Sequence, residues 1–192
     1  MKNVLVISAH PDDMEMSCSG TVAKLIDGGA KVTNLILVGN LPHSEYTLTA
    51  AGILGVETIY HESPKRFTVN DVSVKHIEEL VGIEYDLIIT HWKEDWHQDH
   101  RACHELGNIL ARKQPVDLWY MSSHPYHLKY KEFNPNVYVD VERYYVKKLG
   151  AIKSYKNIST AWKEGIQGHD KWRGSFIGTS AAEVFMSANT VL

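Results

Sequence analysis

The chain has 192 residues, 44% hydrophobic and 22% charged, with a formal net charge of −3 at pH 7. That length suits one domain, residues 1–192, with a core large enough to need no staples, and the near-neutral charge argues against nucleic acid or an acidic membrane as the target. No apolar run reaches the roughly 18 residues of a membrane-spanning helix, and two cysteines are too few for a secreted disulfide scaffold, so a soluble cytoplasmic protein is expected.

Val4–Ala9 is a continuous apolar run without polar alternation, the pattern of a strand buried on both faces. Ser19–Gly29 reads as a helix with Val22, Leu25 and Ile26 on one side, closed by Gly28-Gly29. Lys31–Val38 is a second strand, and Ser44–Gly55 a helix with a stripe of Leu48, Ala51 and Leu54. Glu57–His61 is a third strand, Asp71 caps a helix running to Val81, Tyr85–Thr90 is a fourth strand and Asp99–Arg112 a helix. Asp117–Met121 and Asn136–Val141 are further strands, and Arg143–Lys156 is amphipathic through Val146, Leu149, Ile152 and Tyr155. The glycine-interrupted tail Trp162–Met186 has no assignable breaks. Strands alternating with helices imply right-handed βαβ units. The expected fold is α/β, a three-layer, mainly parallel, doubly wound (Rossmann-like) sheet with helices on both faces.

In such sheets ligands lie beyond the carboxyl ends of the strands. Those ends carry His10, His61, His91 and His124 in turn, four of the chain's 11 histidines. Ala9-His10-Pro11-Asp12-Asp13-Met14-Glu15 falls where the first strand turns into the first helix. An imidazole and a carboxylate at this spacing can converge on one cation, since both are zinc ligands at about 2.0–2.2 Å. Pro11 stiffens the turn, and of two adjacent carboxylates one can bind metal while the other stays free. The plainer alternative is a polar loop whose Asp caps the helix. Asp95-Trp96-His97-Gln98-Asp99-His100-Arg101 follows the fourth strand. There one imidazole can ligate while the other faces the adjoining space, with Asp99 fixing a ring tautomer. Together the two motifs supply His, Asp and His, three protein ligands with an open position, the catalytic arrangement of zinc.

His10-Pro11-Asp12-Asp13 with Glu15, and His97-Gln98-Asp99-His100, resemble the PIG-L/LmbE-like zinc-dependent N-deacetylases. Gly29, Leu54-Gly55-Val56, Pro135-Asn136-Val137-Tyr138-Val139-Asp140, Arg173-Gly174, Gly178 and Ala182-Glu183-Val184-Phe185 extend the resemblance over nearly the whole chain. It implies that His10, Asp13 and His100 hold one Zn2+ per chain, with Fe2+ or another divalent ion as alternatives. It also implies that Asp12 is the general base, that His97 stabilises the tetrahedral intermediate or protonates the leaving amine, and that Asp99 orients His97. Where many members carry Arg-x-x-Glu, this chain reads His43-Ser44-Glu45-Tyr46, which puts His43 in the place of a substrate-touching Arg. The expected substrate is an N-acetylglucosamine-type sugar conjugate, with another amide at the same zinc as the alternative. Homo-oligomerisation stays open.

His124 and His127 follow the fifth strand, as substrate contacts or as part of a polar loop. His91-Trp92 lines the pocket or packs in the core. His104 stands behind His100 or is inert, and Cys18 and Cys103 suit core packing. A phospho-acceptor receiver also uses paired acids after the first strand. It needs an Asp ending the third strand and a Lys ending the fifth, where this chain has His61 and Ser122-Ser123-His124. No nucleophile elbow, His-Glu-x-x-His helix or phosphate loop is present.

Overall fold

The computed structural model describes residues 1–39, 45–63, 65–82, 84–122 and 133–189. In chain order these form β1 (Asn3–Ser8), α1 (Asp13–Asp27), β2 (Lys31–Val38), α2 (Glu45–Leu54), β3 (Glu57–Ser63), α3 (Asp71–Val81) and β4 (Leu87–His91). There follow α4 (Gln98–Ala111), β5 (Asp117–Met121), β6 (Val137–Asp140), α5 (Tyr145–Ser154), α6 (Thr160–Ser175) and β7 (Ala182–Asn189).

The sheet order is β3-β2-β1-β4-β5-β7-β6. β1 to β5 are parallel, and β7 runs antiparallel between β5 and β6. This is the mainly parallel, doubly wound sheet that the alternation of elements implies. Residues of β1 alternate between two apolar layers. Val4 and Val6 face Val22 of α1, Ala50 of α2 and Ala151 of α5, whereas Leu5 and Ile7 face Ile77 of α3 and Leu106 of α4. Burial on both faces is why these strands read as unbroken apolar runs. The chain winds outward from β1 to β3, then returns to place β4 on the other side of β1. The crevice between β1 and β4 is therefore the topological switch point, where doubly wound sheets bind ligands. Both histidine motifs follow the strands that flank it.

Three local features differ from the sequence expectation. α1 begins at Asp13 rather than Ser19 and is broken at Cys18, so the expected helix is its second half. α3 is capped by Asn70, not Asp71; the Asn70 side chain accepts from Val72 N–H and Ser73 N–H, and Ser73 Oγ answers in a reciprocal capping box. The unassigned tail is α6 followed by β7. The turn between them passes so close to Gly174 that an added Cβ would lie 2.6 Å from the Thr179 carbonyl oxygen, so the tail's glycines include one required by packing.

Candidate metal centre and active site

The turn after β1 is closed by the His10 carbonyl, which accepts the Asp12 N–H at 2.9 Å. It delivers Asp13 into a buried position, where its Oδ2 accepts the His10 backbone N–H at 2.7 Å. After β4, Asp95 accepts the His97 N–H at 2.8 Å, and His97 caps α4 by accepting the Asp99 N–H on Nδ1 at 3.3 Å. α4 then carries Asp99 and His100 inward, both buried. Two turns on neighbouring parallel strands thus bring His10, Asp12, Asp13, His97, Asp99 and His100 to one edge of the sheet.

Each candidate ligand imidazole is held by a carboxylate on one nitrogen and faces Asp13 with the other. His100 Nδ1 lies 2.9 Å from Asp95 Oδ2, and its Nε2 lies 3.4 Å from Asp13 Oδ1. His10 Nε2 lies 3.2 Å from Asp99 Oδ2, and its Nδ1 lies 3.6 Å from Asp13 Oδ2. A carboxylate behind an imidazole is the usual support of a metal-ligating histidine. Two donors on a tetrahedral ion with bonds of about 2.0–2.1 Å stand about 3.3–3.4 Å apart. The His100–Asp13 separation matches that edge, the His10–Asp13 separation is slightly longer, and both exceed the 2.7–2.9 Å typical of a charged hydrogen bond. Two overlapping sets, His10 with His97 and His100, and Asp13 with His91 and His100, each place their donor atoms within 4.8 Å of one another. The donor chemistry fits a divalent cation.

Charge is unevenly distributed here. Burial alone would lower the His100 pKa, but Asp13 and Asp95 outweigh it and raise it to about 10. His91, its ring stacked on His100 at 4.1 Å, is pushed down to about 4, first by burial and then by the charge on His100. Burial opposes ionisation of Asp13, yet His100 and His91 hold its carboxyl well below the usual range. His97 is lowered by burial and by His100 and His10. A neutral His97 whose Nδ1 accepts an N–H carries its proton on Nε2.

Asp12 differs from its neighbour. It occupies the N-cap position of α1, but its side chain makes no capping bond. Burial first and Asp13 second push its pKa up to about 7. The plainer reading of this motif, an Asp that caps the helix, does not hold for either carboxylate.

Asp95 and His91 are the parts that sequence reasoning missed or left open. Asp95 stood in the quoted motif without a role, and His91 only as a pocket-lining possibility. Asp99 meets His97 through its backbone N–H, while its carboxylate lies closer to His10 (3.2 Å) than to His97 Nδ1 (3.7 Å). His61 lies apart, edge-on to Phe67 and His76. Trp92 is buried against Phe133. His104 Nδ1 meets the His91 carbonyl oxygen at 3.1 Å, which supports β4. Cys18 and Cys103 are free and buried. His43, His124 and His127 lie outside the described residues.

Residues 5–45 match the family model described as PIG-L, GlcNAc-PI de-N-acetylase. The uncharacterised deacetylase YaiS of Escherichia coli (strain K12) is 26% identical over 174 residues, covering 81% of this chain and 91% of YaiS. Among solved structures, N,N'-diacetylchitobiose deacetylase from Pyrococcus horikoshii superposes with a TM-score of 0.78 at 19% identity, over 97% of this chain and 83% of that one. GalB, the 4-carboxy-2-hydroxymuconate hydratase of Pseudomonas putida KT2440, superposes with a TM-score of 0.82 at 17% identity, over 100% and 98%. At such identities these two structures establish the shared fold. The family-model match, the YaiS match and the paired motifs agree that this chain is similar to PIG-L/LmbE-type deacetylases.

Proposed function

We propose that this protein is a cytoplasmic, one-domain, zinc-dependent hydrolase that removes the N-acetyl group from an N-acetylglucosamine-type sugar conjugate. The observation that carries the reading is the division between two adjacent aspartates. Asp13 is tied to three imidazoles at 3.3–3.6 Å, whereas the carboxylate of Asp12, beside it, makes no capping bond to the helix it begins. A site built only to bind a metal has no use for the second carboxylate. Two free, buried cysteines and no described helix apolar enough to cross a membrane are consistent with the proposed location.

In this reading His10, Asp13 and His100 hold one Zn2+, or Fe2+ or another divalent ion in its place. When bound, the cation supplies Lewis-acid polarisation of the amide carbonyl and a lowered pKa for water. Asp12, with its pKa near neutrality, takes the proton of the attacking water, since a base works best near the operating pH. His97, neutral with a proton on Nε2, donates a hydrogen bond to the oxyanion developing on the amide carbonyl, and the proton that Asp12 takes from water passes to the leaving amine. Asp99 sets the His97 tautomer through its backbone N–H and steadies His10 through its carboxylate. Asp95 does the same for His100.

The GalB fold match shows that this architecture also hosts a hydratase, so the reaction has to be read from products. Purified protein loaded with Zn2+ should release acetate and a free amine from at least one member of a panel of N-acetylglucosamine conjugates. Release of a different acid from other amides would shift the reading to a broader amidase. No amide cleavage across both panels would overturn it.

A further inference from the structure

α1 consists of two helical segments. At Cys18, φ is −146° and ψ is 16°, outside the helical region, and a second segment starts at Ser19. A helix start leaves backbone N–H groups without partners, and here the chain supplies them from its far end. Gly20 N–H and Thr21 N–H donate to Glu183 Oε1 and Oε2 at 2.9 and 2.6 Å. Ser19 Oγ donates to the Glu15 carbonyl at 2.6 Å, on the other side of the break. An added Cβ on Gly20 would lie 2.9 Å from Val141 Cβ and 3.2 Å from Glu183 Oε1, so the approach of the carboxylate requires glycine there.

Glu183, on β7, is buried, and a buried carboxylate needs a partner. Lys148 on α5, fully buried, places Nζ 2.8 Å from Glu183 Oε1 and 2.8 Å from Asp170 Oδ2 on α6. The Tyr145 hydroxyl donates to that Asp170 oxygen at 3.2 Å. Three late elements therefore converge on one point of α1. The segment before the break, Asp13 to Ser17, carries Asp13 and is too short to hold a helical direction alone. Its direction follows from its joint with the second segment and from the Tyr155 hydroxyl, which donates to Glu15 at 3.1 Å.

We propose that Glu183, held by Lys148, is a positioning residue for the metal-binding turn: by capping the second half of α1 it fixes the break, and through it the placement of Asp13. This rests on the reading of Asp13 as a ligand. Coupling between the two places is reciprocal. If the cap strengthens metal binding, metal binding strengthens the cap.

The test measures Zn2+ affinity of the full chain by competition with a chromophoric chelator. Glu183→Gln should bind Zn2+ about 10–100-fold more weakly than wild type, the usual loss when a supporting partner of a metal ligand is removed. A folded Glu183→Gln that binds Zn2+ as tightly as wild type, with only a lower Tm, would overturn the proposal. Because this variant can fail to fold, hydrogen exchange of wild type is measured with and without Zn2+. Exchange at Gly20 and Thr21 should slow on binding while buried α6 amides stay unchanged, and unchanged exchange at the break would also overturn it. Wild type that binds no Zn2+ removes the ligand assignment, and the proposal with it. That failure is told apart because it appears without any mutation.

Discussion

Two clusters of buried charge lie on either side of the break in α1, and they are built to different standards. Around Lys148 the distances are those of completed interactions: 2.8 Å to each of two carboxylates, and 2.6 and 2.9 Å from backbone N–H groups to Glu183. Around Asp13 the imidazole nitrogens stand off at 3.3, 3.4 and 3.6 Å, too far for strong charged hydrogen bonds. The first cluster is an ion network closed on itself. The second has its donors converging on a common space, with neighbouring rings driven to opposite protonation states, His100 up to about 10 and His91 down to about 4. Such opposed shifts in one cleft mark a functional site. Burial of charge therefore does not distinguish scaffold from site in this protein; the spacing between partners does.

Removing one group from each cluster should give the largest and most different effects. Asp13→Ala, or His10→Ala with His100→Ala, should abolish stoichiometric metal by elemental analysis, and amide hydrolysis with it. Lys148→Ala should lower stability by about 3–5 kcal/mol in urea unfolding, because it strands two buried carboxylates. Full metal content in the double histidine variant would make the two clusters alike and sink the ligand assignment.

Next in size are the groups placed beside the metal rather than on it. Asp12→Asn should keep metal content and lose about 10²–10⁴-fold in kcat, the usual range for a general base. His97→Ala should likewise keep metal and lose about 10²–10³-fold, as for one oxyanion donor. Near-normal turnover by metal-loaded Asp12→Asn would show that the free aspartate has no part in proton transfer.

These contrasts were unequally legible in the sequence. β1, β2, β4 and the helices between them could be read because double-sided burial writes unbroken apolar runs and helix faces repeat. The strand Ala182–Asn189 could not, since alanine, glutamate and asparagine are poor strand formers and its place depends on β5 and β6. Ligand-type residues at two strand ends could be read from spacing alone. The support for those residues could not. Asp95 matters through its contacts with the His97 N–H and His100 Nδ1, and Glu183 through a break in a helix far from it in sequence. Both depend on how the helices pack, which periodicity does not encode.

The smallest effect separates the clusters by pH. In chelator-treated protein the His100 pKa is raised from 6.5 to about 10 by Asp13 and Asp95 against the opposing effect of burial. A folded-state pKa above the unfolded one contributes stability that is complete below about 6.5 and is lost as pH rises through 10. His10 is shifted in the same direction, through Asp13. Asp12, raised to about 7, adds a cost of ionisation that is complete above that pH. Metal-free protein should therefore lose Tm steadily between about pH 6.5 and 10. A bound cation takes the place of the proton on the ligand imidazoles, so metal-loaded protein should lose less over the same interval. Groups outside the site titrate in both forms and cancel in the difference. The gap in Tm between loaded and chelated protein should widen with pH, and His100→Gln should abolish the widening. Parallel curves for the two forms would mean that the Asp13 cluster is, like that of Lys148, a finished ion network that needs no metal.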